Sequence, residues 1–164
     1  MDWYLLVAFS AAQDSAGKNA YLYDDPAARE FRYVPWDFNH SWGQDWTTAR
    51  VPVTVFDDYR WNNGIFVHFH DSPPLSEAMW AQWELAAAPG GPFDPAALLA
   101  RIDGYVAAID PEARRDWARW QDEYRSYSLW SSRRDFTTYD EELAYVRDWI
   151  TRRGPAFEAA RPHP

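Results

Sequence analysis

Asp14, Asn19 and Asp37 are the residues whose types and spacing could do chemistry in this sequence. Asp14 and Asn19 stand at the ends of a D-x-x-x-x-N segment that also holds Gly17 and the chain's single lysine, Lys18. Asp37 follows the apolar run Tyr33-Val34-Pro35-Trp36 and opens a polar turn that ends at Gly43. Two carboxylates and a carboxamide are hard oxygen donors. A hard divalent cation such as Mg²⁺ is held by one or two such groups and completed by phosphate oxygens. The stretch Asp14–Gly43 therefore suits a cation together with an anionic substrate. Turns and caps favour the same residue types, and spacing alone does not separate the two uses.

Phosphoryl transfer of the protein-kinase kind asks for a similar short set. A catalytic-loop Asp orients the acceptor hydroxyl, an Asn on that loop binds a metal ion, and a second Asp after a strand binds Mg²⁺ bridging the ATP phosphates. Asp14, Asn19 and Asp37 meet that requirement in type and order, and Asp37-Phe38-Asn39 stands where a kinase Asp-Phe-Gly would.

The elements that must position these residues follow from hydrophobic periodicity and from turn signals. Trp3 to about Ala12 is apolar all round and predicts a buried helix, with Asp2 as its cap. Gln13–Asn19 is polar and contains a glycine, which predicts a loop. Ala20–Tyr23 and Phe31–Val34 predict two short strands around the turn Asp24-Asp25-Pro26, a hairpin between the two halves of the site. Val51–Phe56 contains Pro52 and suits an edge strand or an extended segment. Gly64–His70 fits strand and helix equally. Beyond Ser72 the pattern is helical. One helix runs from Pro73-Pro74 to Ala88, a second starts at Asp94-Pro95, a third starts at Asp110-Pro111, and a fourth is opened by the capping box Thr138-x-x-Glu141 and closed by Gly154-Pro155. The fold class expected is α+β and mainly helical, with the hairpin carrying the site against a helical body, in one domain over residues 1–164.

Composition narrows the functions. Eleven tryptophans and 18% aromatics provide a large core for 164 residues. A formal charge of −9 argues against non-specific binding to nucleic acid or anionic membrane. No run of apolar residues is long enough to span a bilayer, and the first residues lack the pattern of a signal peptide. The absence of cysteine rules out disulfides and thiolate metal sites.

The run KNAYLYDDPAAREFRYVPWDFNHSWG resembles the signature of the spore-coat CotH kinase family, a D-x-x-x-x-N-Y-Y-L-Y segment, a hairpin, and P-W-D-[LF]-[DN]-x-x-[FW]-G. GPFDPAALLARID, the segment Asp116–Trp120 and the helix YVRDWITRR are similar more loosely. The resemblance implies an atypical kinase fold that transfers phosphate from ATP, with Mg²⁺ or Mn²⁺, to Ser or Thr of coat or secreted proteins. It implies a setting in the spore coat, at the cell surface or outside the cell. Asp14 becomes the catalytic Asp, Asn19 and Asp37 the metal ligands, and Lys18 a point charge near the nucleotide phosphates. Asn39 stands where many relatives have a second Asp. The sequence contains no G-x-G-x-x-G, and its one lysine already lies in the catalytic loop. The chain is therefore expected to correspond to the C-terminal lobe of such a kinase, without the nucleotide-covering N-lobe. It is expected to turn over ATP weakly by itself and to expose an apolar surface suited to self-association. The rival expectation is a non-catalytic, kinase-derived module that binds a protein or glycan.

Three further groups have a use and a plainer alternative. His68 and His70 would share a strand face and form a metal pair if extended. Trp42, Trp46 and Trp61 suit a ligand platform or a core. The pairs Arg133-Arg134 and Arg152-Arg153 suit phosphate recognition, the second also complementing a helix C-terminus.

Overall fold

The computed structural model describes residues 1–45, 49–56, 63–126 and 138–161. It contains α1 (Asp2–Ser10), α2 (Gln13–Gly17), β1 (Ala20–Asp25), β2 (Glu30–Pro35), α3 (Gly64–Asp71), α4 (Pro73–Ala87), α5 (Pro95–Ser126) and α6 (Tyr139–Ala159). The two strands pair antiparallel, Ala20 opposite Pro35 and Asp25 opposite Glu30. The chain is thus mainly helical with one small hairpin, the fold class expected.

Helix α1 sits at the centre because nearly every face of it is apolar. Trp3, Tyr4, Leu5, Val7, Ala8 and Phe9 are all buried. Around it a cluster of rings joins α1, α4, α6 and the turn before α5. Phe9 lies 4.9 Å from Phe93 and 5.7 Å from Trp83, and Trp83 lies 4.4 Å from Phe157 on α6. Burying aromatic surface on this scale is the main stabilising contribution. A second cluster of Ala11, Trp149 and Ile150 takes Leu98, Leu99 and Ile102 of α5 against it.

Several boundaries differ from those expected or settle what the sequence left open, each for a local reason. Asp2 is the first residue of α1 rather than its cap, and the helix stops at Ser10 because Ala11 turns left-handed at φ 54°. Gln13–Gly17 is a short helix, not a loop, its last turn closed by Lys18 N–H and Asn19 N–H on the Asp14 carbonyl at 3.0 and 3.1 Å. Gly64–Asp71 is helical, with Asn63 as its cap accepting from Ile65 N–H at 3.0 Å. Val51–Phe56 forms no strand. Arg50, just before it, forms an isolated bridge to Gln44, and Val51 N–H donates to the Gly43 carbonyl at 2.7 Å.

Asp110-Pro111 does not start a helix. Helix α5 runs through Pro111, and α6 likewise runs through Gly154-Pro155 to Ala159. Packing outweighs the proline signal in α6, where Arg153 and Phe157, on either side of the break, are both buried. At Pro111 the continuation is supported by Arg114, which donates from Nε to Asp110 Oδ2 at 2.8 Å and forks onto Asp140 of α6 at 2.8 and 3.2 Å. A proline in a helix interior lacks its N–H and crowds the carbonyl four residues back. Pro111→Ala is therefore expected to stabilise the protein by about 1–2 kcal/mol, read as a rise in Tm of about 2–8 °C.

The same ion pair gives α5–α6 docking a pH dependence. The Arg114 hydrogen bonds hold the Asp140 carboxyl below the usual carboxylate range. A carboxyl whose folded value is depressed adds stability that is present above its unfolded value and lost as pH falls through the folded one. Below about pH 4 the wild type should lose stability more steeply than Asp140→Asn, measured by denaturant titration across that range. The pair is solvent-exposed, so the difference should be small and sensitive to salt.

Candidate functional site

The two halves of the expected site reach each other across the hairpin. β1 leaves Asn19 and β2 returns to Trp36, whose N–H donates to the Asn19 carbonyl at 3.3 Å. The Asn19 side chain then donates from Nδ2 to the Asp37 carbonyl at 3.4 Å, a contact between residues 18 apart in sequence. With its nitrogen so used, the amide oxygen of Asn19 is the atom left for a cation. Asp37 is exposed and sits in the left-handed region at φ 55°. That conformation is uncommon outside glycine, and Asp and Asn are the residues that best tolerate it.

Asp14 lies in α2, half-buried, with Lys18 Nζ 2.9 Å from Oδ2. The lysine side chain is 69% exposed, so the pair is worth little to stability. It does bring a cation beside the candidate catalytic carboxylate.

The floor under these residues is aromatic. Trp3 of α1 stacks on Tyr33 of β2 at 5.2 Å and 3°, and meets the edge of Phe38 at 5.7 Å. Phe38, next to Asp37, is thereby held against the core. Asn63 contributes as well, donating from Nδ2 to the Ala16 carbonyl at 2.8 Å and to Tyr33 Oη at 3.5 Å. It ties the start of α3 to α2 and to the hairpin. Its role was not anticipated from the sequence, although Asn63-Gly64 carries a cap signal.

Beyond Asp37 the chain is fixed by Ser41, whose Oγ donates to the Phe38 carbonyl at 2.6 Å, and by Trp42 N–H on the Ser10 carbonyl at 2.5 Å. Gly43 follows at φ 82° and packs directly on Trp149, while Tyr145 Oη donates to its carbonyl at 2.6 Å. The final glycine of the P-W-D signature is thus a backbone position pressed onto α6.

The other candidates are placed differently. His68 lies exposed on α3. Gly64–Asp71 is helical, so the condition for a His68–His70 metal pair, an extended backbone, is not met. Among the described residues no group of three His, Asp or Glu side chains is gathered as a metal cage. Trp42 is core, half-buried with its ring 6.3 Å from Phe9. Trp46, Trp61 and the pair Arg133-Arg134 lie outside the described residues. Arg152 pairs with Asp148 one turn back on α6, whereas Arg153 is fully buried and points into the centre of the fold. Arg152 and Arg153 therefore do not act together on a phosphate. Asn39 is exposed in the turn after Asp37.

Asp14 in α2 and Asn19 after it thus stand on one side of the hairpin, and the Asp37 turn stands on the other. A family model described as CotH kinase protein matches residues 1–156, and the chain belongs to the CotH kinase family. No curated protein and no solved structure gives a significant match. Among the described residues no helix is long and apolar enough to cross a membrane.

Proposed function

We propose that this chain binds a divalent metal–ATP complex and serves phosphoryl transfer to a protein hydroxyl, Ser or Thr. One observation carries the proposal, the Asn19 side chain against the Asp37 backbone. It joins the end of the D-x-x-x-x-N loop to the P-W-D turn, so one ion can draw on both. The donor set of carboxylate and carboxamide oxygens suits Mg²⁺ or Mn²⁺.

Metal–ATP, when bound, supplies the phosphoryl group and a counter-charge for its oxygens. Asn19 Oδ1 and the Asp37 carboxylate are the groups that would hold the ion. Asp14 orients the acceptor hydroxyl and accepts its proton at a carboxylate oxygen. Lys18, 2.9 Å from that carboxylate, offers a positive charge to the phosphoryl oxygens. Residues 1–164 act as one unit, corresponding to the C-terminal lobe of a kinase. The 164 residues include no Gly-rich nucleotide loop and no second lysine, so turnover by this chain alone is slow.

The second reading, a non-catalytic module holding a protein or glycan, is favoured by the hairpin's outer face. Tyr21 and Trp36 are each 60% exposed and meet edge to face at 6.0 Å. Calorimetric titration with Mg²⁺ and ATP separates the two readings. Binding lost in Asp37→Ala supports the nucleotide site. No binding by a well-folded chain supports the module.

A further inference from the structure

Arg153 carries a role that nothing in its local sequence suggests. It is fully buried on α6, and its guanidinium donates to four backbone carbonyls rather than lying at the surface. Nη2 donates to Ala8 O at 2.6 Å and Nε to Phe9 O at 3.1 Å, both in the last turn of α1. Nη1 donates to Val55 O at 2.9 Å and also to Val53 O. The rings of Phe56 and Trp149 flank the charge at 4.4 and 5.0 Å.

The last four carbonyls of a helix have no partner within it. In α1 each finds one elsewhere. Val7 O accepts from Ala12 N–H at 3.0 Å, Ala8 and Phe9 accept from Arg153, and Ser10 O accepts from Trp42 N–H at 2.5 Å. This end of α1 is therefore the common mooring of both halves of the site. Asp14 follows it by four residues in the chain, and the loop after Asp37 is hung from it through Trp42. A buried cation at a helix C-terminus is also favoured by the helix dipole, and the planar fork of arginine suits carbonyls on two separate segments in a way lysine does not.

We propose that Arg153 is a positioning residue. By clamping the C-terminus of α1 to residues 53–55 and α6, it fixes the separation of Asp14 from Asp37. The functional half of this proposal rests on the metal–ATP reading above.

The test is peptide-level hydrogen exchange on the full chain, paired with Mn²⁺–ATP titration, for wild type and Arg153→Lys. Lysine keeps the charge but cannot span both pairs of carbonyls. Exchange in peptides covering residues 14–19 and 38–44 should rise about tenfold while α5 peptides stay near the wild-type rate. Affinity for Mn²⁺–ATP should fall about tenfold, in the range seen when groups that orient metal ligands are lost. A uniform rise across α5 as well would mark Arg153 as a general stabiliser and overturn the proposal, as would no change in either segment. If Arg153→Lys does not fold, Phe56→Leu, which removes one wall of the clamp, should give the same selective pattern in weaker form. Its absence there also overturns the proposal. If wild type binds no Mn²⁺–ATP, the nucleotide reading fails, and the exchange pattern alone still decides whether Arg153 moors the two segments.

Discussion

Gly43→Ala is expected to lower stability by about 3–5 kcal/mol, the sum of overpacking and a left-handed backbone imposed on an L side chain. At φ 82° only glycine is free of that backbone cost. The space is closed as well. A Cβ at Gly43 would fall inside the contact distance of the Trp149 ring and of the Tyr145 hydroxyl. Trp149 is 1% exposed, packed with Ala11 and Ile150, so it cannot swing aside without opening the core. Moving Tyr145 would break its bond to the Gly43 carbonyl. The loss is a large part of the 5–15 kcal/mol that holds a typical domain together, and thermal unfolding should show a Tm lower by about 10 °C or more. Gly90→Ala is the control. Gly90 has nearly the same φ, 81°, but a Cβ there meets nothing, so only the backbone cost of about 1–2 kcal/mol remains. Equal effects at the two glycines would mean that Gly43 is not pressed on α6 as described.

The second large effect is on binding and leaves the fold intact. Asp37→Asn should weaken metal–ATP binding about a hundredfold, roughly 3 kcal/mol, because a charged ligand becomes neutral. Thermal stability should change by less than about 0.5 kcal/mol. Asparagine adopts the left-handed region as readily as aspartate does, and Asp37 is exposed, so no packing is lost. Asp37→Gly goes further in the same direction. It relieves a backbone cost of about 1 kcal/mol while removing the ligand altogether, so Tm should hold or rise as binding vanishes. Stability and binding moving apart at one position is the behaviour of strain held at a working site.

How far the sequence disclosed this arrangement depends on the range of the forces involved. The family was legible because a motif runs through Asn19 and Asp37, and the hairpin between them was legible from its apolar runs and its Asp-Asp-Pro turn. Thr138 was legible too. Its Oγ1 accepts from Glu141 N–H at 3.2 Å, as a capping box requires. The helix Gln13–Gly17 was not, since five residues with a glycine carry no periodicity. Pro111 and Pro155 misled for the opposite reason. A proline is a strong local signal, yet contacts made by Arg114, Arg153 and Phe157 with distant segments carry both helices through it. Arg153 itself was least legible. It lies next to Arg152 in sequence, but its partners Ala8 and Phe9 are 145 and 144 residues away, and only folding brings them together.

The central claim is that the D-x-x-x-x-N loop and the P-W-D turn form one metal–nucleotide site. Electron paramagnetic resonance of free Mn²⁺, titrated against the folded chain with and without ATP, tests it most directly. With ATP present, wild type should remove far more Mn²⁺ from solution than the same concentration of ATP does alone, and Asn19→Ala and Asp37→Asn should each abolish that excess while retaining the wild-type circular dichroism. A folded wild type that binds Mn²⁺–ATP no better than ATP alone does, or variants that bind as well as wild type, would contradict it.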